Sequence, residues 1–175
     1  ELIPVDVALI QTSLPDKHGY LSLGISVDVV ESAVEMAELV VAQVNVNMPR
    51  TQGDGFINIK DIDFLVPYDE PLLEYSTKAP NDIVQRIGRY VASIIEDGST
   101  IQVGYGLIPD AVVPNLECKK DLGVHTELLS DGIANLMKKG IVTNRKKTHN
   151  PGKTIASFCM GSRETYDFLD ENPAV

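Results

Sequence analysis

The sequence is poor in the features that mark several large classes of protein. No apolar run reaches the ~18 residues that a membrane-spanning helix needs, so no membrane partner is expected. Basic residues are outnumbered, 15 Lys and Arg against 25 Asp and Glu, which gives a formal charge of -10. A nucleic-acid surface needs a basic patch, so nucleic acid is not expected as a partner. The one dense basic stretch is Arg145, Lys146 and Lys147, extended by His149 to Lys153, and it reads as a solvated loop or a local site for an anionic ligand. Two cysteines, Cys118 and Cys159, lie far apart and outside any CxxC pattern. That spacing speaks against structural zinc, and a disulfide framework does not fit a chain of this size; both read as small buried hydrophobes. His18, His125 and His149 lack metal-ligand spacing, so no metal is expected. No repeat of fixed short period occurs. Cytoplasmic is the default location.

What is present is an alternation of strand and helix patterns. Residues 5–12 (VDVALIQT) and 20–27 read as strands joined by the turn LPDKHG. Residues 28–38 read as a helix with Val29, Ala33, Met36 and Ala37 on its apolar face. LVVAQVNV follows with the near-continuous apolar pattern of a buried strand, and 56–66 holds one or two short strands. Residues 68–82, YDEPLLEYSTKAPND, are polar, carry two prolines and read as a linker. The pattern then restarts. Asn81 or Asp82 caps a helix with Ile83, Ile87, Val91 and Ile95 at four-residue spacing, and Gly98 follows its end. TIQV is a strand, GYGLIPDAV a glycine turn into a short helix, VHTELL a strand and GIANLMKK a helix. TIASFCM is a further strand, and Ser162 opens a last helix. Such alternation predicts an α/β fold with open, mostly parallel sheets and flanking helices.

One carboxylate stands out. Glu127 interrupts an otherwise mostly uncharged strand, where glutamate is a poor fit and an unpartnered buried carboxylate is costly. Either it faces solvent or the protein uses it. In an open α/β sheet, ligands gather at the carboxyl ends of strands, and Glu127 lies near the end of its own. QVGYGLIP, 102–109, has a similar address: a strand runs into Gly104 and Gly106, where backbone N–H groups can face an incoming negative charge. Together these segments suit a general base or a nucleophile beside oxyanion-stabilising amides. A side chain at Gly104 is expected to obstruct the backbone approach at the turn, by intruding on it or through its φ angle, with the fold retained. His125 shares a strand face with Glu127, where it could tune that carboxylate, but it reads rather as a wall residue. His18 reads as a turn residue. Arg50, in NMPRTQGDG, reads as a surface arginine or as a clamp for a substrate carboxylate.

Taken in order, LPDKHGYLSLGIS, VNVNMPRTQGD, IEDGSTIQVGYGLIPDAV, DLGVHTELLSDG and GKTIASFCMGSRETYDFLDENP resemble the acetyl-CoA hydrolase/transferase family, and most of all its 4-hydroxybutyrate coenzyme A transferases. The resemblance implies a CoA-transferase-like (NagB/RpiA-like) fold. Residues 1–78 would be the C-terminal part of a first domain plus linker, and 79–175 the N-terminal part of a second domain carrying the catalytic glutamate. On this reading the chain is a piece of a longer protein that forms a homo-oligomer. The resemblance makes Glu127 the covalent nucleophile, Val103 an oxyanion amide, and Gly104 and Gly106 part of the CoA-binding turn. The partners would be an acyl-CoA and small carboxylates of the acetate, butyrate or 4-hydroxybutyrate class. Coenzyme A would be a substrate, with no permanently bound cofactor. Leu107 stands where the family usually has a further glycine, and Pro114 interrupts a helix that is commonly continuous. An acyl-CoA hydrolase and a non-catalytic CoA-binding module are the alternatives.

Overall fold

The computed structural model describes residues 4–76 and 79–175. The chain divides into two units, Glu1–Leu73 with Tyr166–Asn172, and Glu74–Thr165 with Pro173–Val175. Among the described residues no helix is long and apolar enough to cross a membrane.

In the first unit β1 (Val5–Thr12), β3 (Ala37–Val44) and β5 (Phe64–Pro67) form a parallel sheet in the order β1-β3-β5. The short strands β2 (Tyr20–Ser22) and β4 (Phe56–Asn58) pair antiparallel beside it in sequence order. Strand β5 ends on Pro67, which suits an edge because proline has no N–H for a further ladder. The strand expected over 20–27 stops at Ser22. Gly24 there takes φ +61, and an added Cβ would lie 2.5 Å or less from the Met48 side chain. Only glycine makes both the turn and the close approach inexpensive.

The helix expected over 28–38 is α1 (Val30–Met36), cut short because Ala37 already pairs with Val5 in the sheet. Its inward stripe differs from the one the pattern suggested. Val34 is the buried residue and Val30 packs beside it, whereas Val29 and Met36 are exposed. Val34 joins Ala8, Leu23, Val40 and Ile57 in the core of this unit.

In the second unit β6 (Thr100–Ile101), β7 (Gly123–Leu129) and β8 (Ile155–Cys159) form a parallel sheet in that order, with β7 central. The helices are α2 (Asp82–Ile94), α3 (Leu107–Val112) and α4 (Asp131–Lys138). The C-terminal helix α5 (Arg163–Leu169) contributes to both units. Asn81 caps α2 as expected, its Oδ1 accepting from the Val84 N–H at 3.0 Å. The buried line of α2 runs through Gly88 and Ala92, while the expected Ile83 is exposed. Helix α3 gives way to a 3-10 turn, Val113–Leu116, at Pro114, whose missing N–H cannot continue the α-helical ladder. Leu116, Leu122, Val124, Leu129, Ile133 and Leu136 are almost wholly buried.

Candidate functional site: the end of strand β7 and the glycine turn

Strand β7 alternates strictly at its centre. Val124, Thr126 and Leu128 are buried, and His125 and Glu127 are exposed. The alternation is the two-residue period of a strand, so Glu127 and His125 leave the sheet on one face. The Glu127 carboxylate makes no hydrogen bond or ion pair among the described residues. It therefore stands exposed and uncommitted near the carboxyl end of a central parallel strand. His125 on the same face lies against His149, ring centroids 5.8 Å apart, as part of a wall.

The start of β7 is fixed from behind. The Asn144 side chain accepts from the Val124 N–H at 2.9 Å and donates to Thr154 Oγ1 at 2.9 Å. Lys147 is buried, its ammonium donating to the carbonyls of Val124 and Lys153 at 2.7 and 2.6 Å. Burial pushes the Lys147 amine below its ordinary value. Arg145 pairs with Asp121 at 2.8 Å. The basic stretch is thus only partly a solvated loop: Lys147 points inward and serves as a strut.

The glycine turn comes level with Glu127. Strands β6 and β7 pair at Thr100↔Gly123 and Ile101↔Val124, so the continuing chain brings Val103 beside Thr126. There Thr126 Oγ1 accepts from the Val103 N–H at 3.0 Å and donates to the Val103 carbonyl at 2.7 Å. Gly104, the next residue, donates its N–H to nothing among the described residues. A Cβ added at Gly104 would meet no atom within 4 Å, and its φ lies outside the left-handed range. Gly106, at φ +127, is the glycine whose backbone the turn requires. The conformational demand expected of Gly104 thus falls on Gly106, and the space above Gly104 is open.

Two hollows adjoin this turn within the same unit. A groove of about 340 Å³ is lined by Val91, Ile95, Ile101, Val103, Ile108 and Val112. Ile101 is in register with Val124 and shares its side of the sheet, so the groove belongs to the face opposite Glu127. A smaller cavity of about 150 Å³ is bounded by Tyr75, Asp110, Val113, Ser130, Asp131 and Met160. Burial raises the Asp110 carboxyl above its usual range. The Tyr75 ring meets that of Tyr105, from the glycine turn, at 5.4 Å.

Arg50 belongs to the first unit. Its guanidinium donates to the Tyr20 carbonyl at 3.0 Å and to Asp16 at 2.9 Å, and lies 4.7 Å from the Phe56 ring centroid. These contacts tie the 47–55 loop to the turn that holds His18. Of the two cysteines, Cys159 is buried, and burial pushes its thiol up to about 12; Cys118 is exposed, contrary to expectation, just beyond the 3-10 turn. Among the described residues no group of three or more His, Cys, Asp or Glu is placed to hold a metal ion.

Thr126 was not singled out in the sequence. The signal was there in the parity: if Glu127 faces outward, its neighbour faces inward, and a buried hydroxyl needs a partner.

Residues 2–74 match the family model described as the acetyl-CoA hydrolase/transferase N-terminal domain. The chain is 52% identical over 173 residues to a 4-hydroxybutyrate coenzyme A transferase of Clostridium kluyveri, covering 99% of this chain and 40% of that protein. It is 44% identical over 174 residues to a succinyl-CoA:acetate/propanoyl-CoA:succinate CoA transferase of Fasciola hepatica, covering 99% of this chain and 36% of that protein. The crystal structure of a 4-hydroxybutyrate CoA-transferase from Porphyromonas gingivalis superposes with a TM-score of 0.92 at 44% identity, over 98% of this chain and 44% of that one. The chain thus spans about two fifths of the length of the curated relatives it matches. Residues 2–74 thus match an acetyl-CoA hydrolase/transferase N-terminal domain, and the whole chain is similar in sequence and α/β architecture to part of the CoA transferases.

Proposed function

We propose that the full-length protein is a CoA transferase that moves coenzyme A from an acyl-CoA to a small carboxylic acid of the acetate, butyrate or 4-hydroxybutyrate class, with Glu127 as nucleophile. The two units are read as parts of two related CoA-transferase domains. The observation that carries the proposal is the uncommitted Glu127 carboxylate, exposed near the carboxyl end of β7, level with a glycine turn whose Gly104 amide and overlying space are open.

The chemistry closes without a net proton. A Glu127 oxygen attacks the thioester carbonyl, the C–S bond breaks, and CoA leaves as thiolate from a glutamyl–acyl anhydride. The thiolate attacks the glutamyl carbonyl and expels the donor acid, leaving a glutamyl-CoA thioester. The acceptor carboxylate attacks that thioester, and the same two steps run in reverse to give the new acyl-CoA and free Glu127. A carboxylate is a weak nucleophile, so proximity and amide donors must supply most of the rate. Gly104 and Gly106 leave the turn without side chains at two positions, and the Gly104 N–H is open to an oxyanion, whereas the Val103 N–H expected in that role is taken by buried Thr126 Oγ1. Binding of the remote CoA chain can be drawn on to strain the reacting centre.

The test is covalent trapping. Full-length protein is incubated with acyl-CoA, quenched with borohydride or hydroxylamine, and digested for mass spectrometry. Modification on the Glu127 peptide is expected, and Glu127→Gln should lower transfer by on the order of a thousandfold or more. A modification elsewhere, or transfer at the wild-type rate in Glu127→Gln, overturns the assignment. Acyl-CoA alone separates the hydrolase alternative, since a hydrolase releases CoA continuously and a transferase stops until an acceptor acid is added.

A further inference from the structure

Regular pairing between β6 and β7 ends at Ile101↔Val124, before the chain reaches the glycine turn. Two residues on, a single side chain replaces the ladder. Thr126 Oγ1 takes the Val103 N–H at 3.0 Å and gives its own proton to the Val103 carbonyl at 2.7 Å. A hydroxyl has one proton and two lone pairs, so one atom can satisfy both backbone groups of Val103. Thr126 is 5% exposed, so this bridge is shielded from competing water.

Its position gives the bridge a consequence for the site. Val103 immediately precedes Gly104, and Thr126 immediately precedes Glu127. Each of these two peptide links is planar and stiff. The separation between the glycine turn and the Glu127 backbone is therefore set through one buried hydroxyl, with one residue of chain on either side. Thr126 faces the interior while Glu127 faces outward, so the hydroxyl has no path to substrate.

We propose that Thr126 is a positioning residue for CoA transfer: its hydroxyl holds the glycine turn at the distance from Glu127 that the transition state needs. This rests on the reading of Glu127 as nucleophile. Thr126 acts on geometry alone, so it governs the chemical steps rather than the capture of acyl-CoA. Valine keeps the shape of threonine and lacks the hydroxyl, whereas serine keeps the hydroxyl and lacks the methyl group.

The experiment compares full-length wild-type protein with Thr126→Val and Thr126→Ser. For each, kcat, KM for acyl-CoA and the single-turnover rate of adduct formation on Glu127 are measured. Thr126→Val should lose about 10- to 100-fold in kcat and in adduct formation, the scale expected of a displacement near 1 Å. Its KM should stay within roughly threefold of wild type, and Thr126→Ser should recover most of the rate, as expected of a group acting only in the chemical step. A Thr126→Val enzyme with wild-type kcat, a loss confined to KM, or a serine variant as slow as the valine one overturns the proposal. If Thr126→Val does not fold, hydrogen exchange of wild-type protein at single-residue resolution decides: slower exchange at Val103 than at Gly104 supports the bridge, and equal exchange overturns it. A wild-type protein with no adduct on Glu127 overturns the transferase reading, and this one with it. A wild-type adduct beside an unimpaired Thr126→Val overturns this one alone.

Discussion

Gly88, in the middle of α2, lies directly against the Ala111 carbonyl of α3: a Cβ built on Gly88 would sit 2.4 Å from that oxygen and 2.7 Å from its carbon. The obstacle is backbone, which cannot swing aside as a side chain would. Gly88→Ala gains intrinsic helix propensity, but overpacking here should dominate and destabilise the protein by about 1–3 kcal/mol. Urea unfolding of wild type and variant measures the difference. A stabilised Gly88→Ala protein would show that α3 moves away freely, and with it the turn that precedes it.

The two glycines of the turn should respond in opposite ways. Gly104 faces open space with an ordinary φ, so Gly104→Ala should fold with stability within about 0.5 kcal/mol of wild type, like other substitutions away from packed or strained positions. Its turnover should nevertheless fall, because the methyl group occupies the approach to the amide. Gly106→Ala should cost roughly 1–3 kcal/mol from backbone strain at φ +127. Thermal unfolding and steady-state rates of the two variants, measured together, check the contrast. Normal turnover in Gly104→Ala would make the open space irrelevant to catalysis.

Asp16 should contribute to the acid limb of stability. The Tyr20 N–H hydrogen bond holds its carboxyl below the usual value of 3.8, with the His18 N–H and the Arg50 guanidinium acting in the same direction. A carboxylate lowered in the folded state stabilises fully above its unfolded value. That stabilisation is lost as pH falls below 3.8 and through the lowered value. Asp16→Asn should flatten the dependence of stability on pH in that window and leave its slope near neutrality unchanged. Denaturant midpoints measured from pH 2 to pH 7 for both proteins provide the check. An identical acid limb in the two proteins would show that Asp16 contributes nothing there.

How far the sequence carried the reading differs from element to element. The Asn81 cap, the β7 strand and the α/β alternation were legible because each rests on local chemistry: a side-chain acceptor, a two-residue period, or a glycine break. The inward face of α1 was not, since a helix of seven residues has too few turns for periodicity to distinguish Val34 from Val29. The length of β2 was hidden because the close approach of Met48 to Gly24 depends on a loop more than twenty residues away. Arg50 shows the same limit. Its residue type admits both a ligand clamp and a scaffold contact, and its actual neighbours, Asp16 and Phe56, are fixed by the tertiary fold.

The pairing scheme also bears on how the chain reaches its fold. The first partners of β6 and β7, Thr100 and Gly123, are 23 residues apart in sequence, and those of β7 and β8, His125 and Ile155, are 30 apart. The antiparallel pair β2 and β4 begins with Tyr20 and Asn58, 38 residues apart, so it is no hairpin. No strand of the three sheets can therefore nucleate on its neighbour through a tight turn. Loop-closure entropy must be overcome before any ladder bond repays it, which places this topology among slow folders, on a scale of roughly milliseconds to seconds. The local structure available early is helical, and α2 with its own cap is the longest such piece. Strand β7 needs a partner on each side from distant chain, so the backbone carrying Glu127 acquires its final geometry only when both crossovers have closed.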